Sequence, residues 1–175
     1  MATSLLTFQA NYTFQQLPEL PASGDQVYYP QGSSEGGRDG LIVGVQNGSN
    51  KKWVAVFAFG DVRCMSWSWI STCPSPWHLC VVAAGCGYII DVREPAKCEI
   101  IPVTPVKACV PVPESSMLVL ANDTRLIAYD INGIAWRTDR LVTSGLKILD
   151  CIGTTVVCSG FDLRSESDIH FPINS

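Results

Sequence analysis

Charge is scarce in this sequence. Asp, Glu, Lys and Arg make up 16% of the 175 residues, against about 25% in an ordinary soluble domain. Cations are thinner still: no Lys or Arg precedes Arg38, no basic cluster follows it, and the net charge is −4. Nucleic acid and anionic membrane both need phosphate-neutralising cations gathered on one face, so neither is expected as a partner. Long hydrophobic runs are lacking too. Those near 53–59 and 79–90 fall short of the roughly 20 residues that span a bilayer as a helix. The start, "MATSLLTFQANYTF", has neither the basic residues nor the apolar segment of a secretory signal. The expectation is a cytoplasmic protein. Its eight cysteines are then expected as free thiols, because disulfides persist in oxidising compartments. No C-x-x-C pair occurs. The tightest cluster, "CPSPWHLC" with Cys73, His78 and Cys80, has irregular spacing for zinc. Free cysteine packs as a small apolar side chain, so no metal and no cofactor are expected. Finally, no stretch reads as a long helix.

What is present is apolar: 47% of the chain. That suffices for one domain with a proper core. With so little charge to cover the surface, some apolar area is expected to be buried between subunits, which points to a homo-oligomer or a protein partner.

A repeat organises the chain. "LCVVAAGCGYIIDV" at 79–92 aligns with "LVLANDTRLIAYDI" at 118–131, placing Leu79 on Leu118 and Asp91 on Asp130, an offset of 39. A further 39 carries Val119 to Cys158, so Cys80, Val119 and Cys158 are expected at one repeated position. Such a period marks copies of one supersecondary unit. It also explains Gly85-Cys86-Gly87. A dinucleotide loop needs a third Gly and a helix after it. Here the β-branched and aromatic "YIIDV" follows, which favours strand. The GCG is therefore read as the tight connection of a hairpin.

The second copy contains Asn132-Gly133, a dipeptide suited to a type I′ turn. A turn there would set Ile131 beside Ile134 and Tyr129 beside Trp136. Each unit then reads as a four-strand meander, with strands near 79–84, 87–92, 97–101 and 106–111, and near 117–121, 125–131, 134–138 and 146–151. Upstream, "GLIVGVQNGSNKKWVAVFAFGDV" holds two strands joined by "NGSNKK". The fold class is all-β: repeated antiparallel four-strand meanders, propeller-like or an open curved sheet or sandwich. The chain is one domain over 1–175. It has an irregular part at 1–78, repeats at about 79–117 and 118–156, and a partial copy from 157.

Residues 79–160 resemble β-propeller blades. "LIAYDINGIAWRT" is similar to the blade motif A-x-D-x-x-x-G-x-x-x-W through Ala128, Asp130, Gly133 and Trp136, with shorter spacing around Gly133. The first copy lacks that Gly and Trp. In such units the recurring Asp accepts turn N–H bonds, so Asp91 and Asp130 are read as structural. The whole chain also resembles small bacterial proteins of unassigned function, which implies a source and no activity.

Candidate sites are few. "GSSEG" at 32–36 matches G-x-S-x-G with Ser34 at its centre, but a nucleophile elbow needs a helix next, and "GRDGLIVGV" follows. The bases available are His78 and His170. The same segment reads more simply as a loop whose Arg38 can meet an anion. Trp53, Trp67, Trp69, Trp77 and Trp136 are many for this length. In "CMSWSWI" alternation would put Met65, Trp67 and Trp69 on one strand face. Aromatics of this kind serve cores or interface hot spots. The tentative binding residues are therefore Trp67, Trp69, Trp77 and Arg38. The expected function is a non-catalytic binding or interaction module that self-associates through strand edges and aromatics. The alternatives are a small-molecule binder near the 30–40 loop or the Trp-rich 65–77 segment, and a serine hydrolase using Ser34.

Overall fold

The computed structural model describes residues 2–30 and 39–174. It is all-β. Among the described residues sixteen strands form four sheets, and the helical elements are two single 3-10 turns, Val62–Cys64 and Pro113–Ser115. The first sheet is ordered β2 (Tyr12–Gln16), β4 (Gly40–Asn47), β5 (Lys52–Ala58), β3 (Gln26–Tyr29). The second runs β1 (Thr3–Leu5), β6 (Trp69–Thr72), β7 (His78–Ala83), β8 (Cys86–Asp91), β9 (Cys98–Ile100). The third is β10 (Ala108–Val112), β11 (Met117–Ala121), β12 (Leu126–Asp130), β13 (Gly133–Arg137). The fourth is β14 (Ser144–Ile152), β15 (Thr155–Asp162), β16 (Ser167–Asn174). Pairing is antiparallel except for β1 with β6 and β3 with β5. Among the described residues no helix is long and apolar enough to cross a membrane.

The sheets stack in chain order as an open series with three cores between them. Leu41, Val43 and Phe57 of the first sheet meet Leu79, Val81 and Tyr88 of the second. Cys80, Val82 and Ile89 on the second sheet's other face meet Leu118, Leu120 and Tyr129 of the third. Val119, Ala121 and Ala128 then meet Val156 and Cys158 of the fourth. This explains the sequence pattern. Strands β7 and β11 are buried on both faces and read as unbroken apolar runs, "HLCVVA" and "MLVLA". Strand β16 covers one core only and alternates, "SDIHFPIN".

The period holds between the second and third sheets. Leu79 and Leu118 both face the preceding sheet, and Cys80 and Val119 both face the following one. It fails by one residue in the fourth sheet. Cys158 faces back toward Val119 in the same core, so these two are opposed across the core and do not share a repeated position. Period-two alternation makes a one-residue slip a change of face.

The meanders are also phased one strand earlier than the repeat suggests. Strand β6, beside β1, is the first meander strand of the second sheet, and β10 opens the third. Strands β10 and β11 are joined by a four-residue turn with Ser116 N–H donating to the Pro113 carbonyl. The link from β9 to β10 carries Pro102 and Pro105, which cannot donate to a ladder, and it crosses to the next sheet. The segment before residue 79, read as irregular, carries the six strands β1–β6 among its described residues.

Both hairpin turns sit earlier than expected. Ala83 pairs with Cys86, so Ala84 and Gly85, at φ 48° and 79°, form the turn, while Cys86 and Gly87 belong to β8. Asp130 pairs with Gly133, so the other turn is Ile131-Asn132. The Asp130 carboxylate accepts from the Asn132 N–H at 2.6 Å and Gly133 takes φ 123°. That is type I chemistry, with Asp first and Gly last. A bulge between Ala128 and Tyr129 then sets Tyr129 opposite Ile134 and Trp136 opposite Ala128.

Candidate functional site

The tentative binding tryptophans do not form one surface. Strand β6 starts at Trp69, so Trp67 lies in the turn before it, and the expected Met65–Trp67–Trp69 strand face does not exist. A 3-10 turn capped by Asp61, whose carboxylate accepts from the Arg63 N–H, uses up the chain ahead of Met65. Trp69 pairs with Val82 and packs on the second core. Trp67 accepts from the Gly85 N–H at one end of the second sheet. Trp77 precedes β7 at the other end, packed on the first core. Each of these two carries its own cation: Lys107 lies 5.2 Å over Trp67 and Arg93 5.2 Å over Trp77. Both rings are thus engaged by side chains of the same fold. Arg38 and Ser34 lie outside the described residues. His78 is on the second sheet and His170 on the fourth, with the third between them.

The cysteines behave as core residues. Cys64, Cys73, Cys80, Cys109 and Cys158 are buried. Cys73, Cys80 and Cys109 share the second core. A hydrogen bond with Cys109, and then burial, raise the Cys80 thiol well above its usual pKa, while burial does so at Cys73. Thiols held protonated are poor nucleophiles and poor ligands. Among the described residues no three His, Cys, Asp or Glu are grouped to hold a metal ion.

The recurring aspartates serve turns. Asp91 accepts from the Arg93 N–H at 2.9 Å, and Asp130 accepts from Asn132 two residues on in the same way.

Two features stand out. The first is a cavity of about 500 Å³ on the first sheet's outward face. Gln15, Gly44, Gln46, Lys52 and Val54 border it, with Leu17 and Asp25 as a rim. Trp53 lies beside it in the chain, but its side chain packs into the first core on the sheet's inner face, where the buried indole Nε1 has no hydrogen-bond partner among the described residues. Unpaired buried donors are rare in native folds.

The second is the outer edge of β16. Strands β6–β9 and β10–β13 give the two middle sheets four meander strands each, while the fourth sheet ends at its third strand, with β15 the strand beside β16 among the described residues. Ile169, Phe171 and Ile173 pack on the third core, whereas Asp168, His170 and Pro172 are exposed on the opposite face. Other edges are poorer templates. Strand β9 has three residues, and β13 has five beside a bulge. Strand β14 is a residue longer than β16 but has two register irregularities against β15, and bulges bend an edge away from flat pairing. The alternating "DIHFPIN" was the sequence signal for a one-sided outer strand. Asp168 resembles no site motif, and in the sequence His170 reads only as a possible base for Ser34.

Comparison with protein-family models and with curated proteins finds no match to this chain.

Proposed function

We infer that this chain is a non-catalytic interaction module that associates with a second copy of itself through the free edge of its fourth sheet. The observation that carries this is β16: eight residues, regularly paired to β15 along their whole length, with no strand on the far side among the described residues. Such an edge presents a row of unpaired backbone donors and acceptors, and adding a strand satisfies them. A cytoplasmic setting fits eight cysteines that all stand as free thiols. Sedimentation velocity across a wide concentration range tests the reading. The expected result is a concentration-dependent monomer–dimer equilibrium. A monomer at every concentration overturns it.

The cavity on the first sheet's outward face, bordered by Gln15, Gln46 and Lys52, favours a second reading, a small polar ligand bound there. A rise in melting temperature on ligand screening, lost in Gln46→Ala, would support it.

A further inference from the structure

We propose that two copies pair β16 with β16 in antiparallel fashion about a two-fold axis at Ile169, so that Asp168 of each chain faces His170 of the other.

The argument starts from Pro172, which pairs with Val157 of β15. Residues of an antiparallel pair alternate between those that exchange both hydrogen bonds and those that exchange none. Pro172 has no N–H, so it belongs to the non-bonded set toward β15. Ser167, Ile169, Phe171 and Ile173 therefore bond to β15. Asp168, His170 and Asn174 turn their N–H groups to the free edge, and Pro172 leaves a gap there. Opposed residues in a sheet share a face, so outward residues must meet outward residues.

Few self-pairings satisfy this. Centring on Asp168 sets Asp168 against its own copy, and like charges directly opposite are destabilising. Centring on His170 sets two imidazoles together and places Asp168 against Pro172, where one donor is missing. Centring on Phe171 makes a longer ladder through Asp168 and Asn174, but it sets Pro172 against His170 on both sides of the axis, which leaves two donor gaps inside the ladder and brings no carboxylate to an imidazole. Centring on Ile169 sets Asp168 against His170 twice. Both residues then give their outward N–H and C=O, which makes four main-chain hydrogen bonds, and each carboxylate meets an imidazole that can donate to it. Pro172 falls beyond the end of this ladder. On the core-facing side Ile169 meets its own copy, and Phe171 meets Ser167, extending the apolar surface. The contact is isologous, as a closed two-fold dimer requires.

This inference rests on the self-association read above, and the experiment separates the two. Asp168 and His170 are exposed, so Asp168→Lys and His170→Asp retain the fold, checked by circular dichroism. Alone, the first variant sets Lys against His, and the second sets Asp against Asp. Each is expected to weaken the dimer about tenfold, from two altered cross-strand pairs. Mixed in equal amounts, the two variants restore opposite charges at both pairs, and a heterodimer of near wild-type affinity is expected by sedimentation. A wild-type dimer with unaffected single variants, or with no recovery on mixing, overturns this register and leaves self-association standing. A monomeric wild type overturns both.

Discussion

Arg93 wraps its own turn onto Asp91: its main-chain N–H and Nε donate to Oδ1 at 2.9 and 3.0 Å, and Nη2 donates to Oδ2 at 2.6 Å. The Asp91 side chain is largely buried while the Arg93 side chain is half exposed. The guanidinium then lies over Trp77. Hydrogen bonds to a charged group contribute about 1.5–3 kcal/mol. Asp91→Ala is therefore expected to lower unfolding free energy by that amount in urea titration. Asp91→Asn is expected to cost less, because its amide oxygen still accepts from the Arg93 N–H. Equal costs would remove the charge from the explanation.

Gly85 serves the turn through its positive φ, whereas Gly87 serves packing. A Cβ on Gly87 would sit 2.7 Å from Ile101 Cδ1 and 3.0 Å from its Cβ. Gly87→Ala is expected to cost about 1–3 kcal/mol as overpacking. Gly44→Ala is the control, since its Cβ would meet Leu17 at an ordinary 3.5 Å, and the change is expected within about 0.5 kcal/mol. Thermal melts of the pair distinguish steric cost from a general intolerance of alanine.

Stability is expected to fall at both ends of the pH scale. At the acid end, hydrogen bonds from Arg93 and Lys107 hold Asp91 and Asp123 below the usual carboxylate range, and Arg63 holds Asp61 at about 2. Folded pKa values lie below the unfolded value of about 3.9. Their stabilisation is thus present above about pH 4 and is lost as pH falls through the folded values. At the alkaline end burial pushes Cys98 up to about 12 and Cys158 up to about 11. Unfolded thiols ionise near about 8.5, so from there upward the unfolded chain sheds protons that the folded chain retains, and stability declines as pH rises. Buried Tyr12, Tyr29 and Tyr129, all shifted upward, steepen this decline near pH 10. Urea midpoints between pH 3 and 10 check it, and a flat profile from 8 to 10 would count against the alkaline half.

Trp77 is a structural residue on this account. It packs on the first core and carries Arg93. Full burial would make its removal cost about 3–5 kcal/mol. Half-burial lowers the expectation for Trp77→Ala to about 2–3 kcal/mol, with self-association unchanged, because β16 lies two sheets away. A variant that stays stable but loses its dimer would return Trp77 to the interface.

Much of the strand layout was legible in the residues. Strand β11 lies at the expected 117–121, and the strands expected near 79–84 and 87–92 are β7 and β8 shifted by about one residue. The structural role of Asp91 and Asp130 was also legible, since an Asp ending a strand bonds its own turn. The turns were less so. Asn132-Gly133 signals a type I′ turn, yet Asp130 captured the Asn132 N–H and moved the turn back by one residue. The candidate site was hidden for another reason. Asp168 and His170 gain meaning only once β16 is seen to have no strand on its far side among the described residues.

Alternation, apolar runs and the 39-residue period were properties of the chain alone, because each residue's preference for core or solvent depends on its own side chain and on neighbours two positions away. The grouping of strands into sheets belonged to the tertiary structure. So did the reversal of Cys158 onto Val119's core, the parting of Trp67 from Trp77, and the place of β16 at the edge of its sheet among the described residues. Each depends on which distant segment a strand meets, and hydrogen-bond ladders between distant segments leave no mark in the local order of residues.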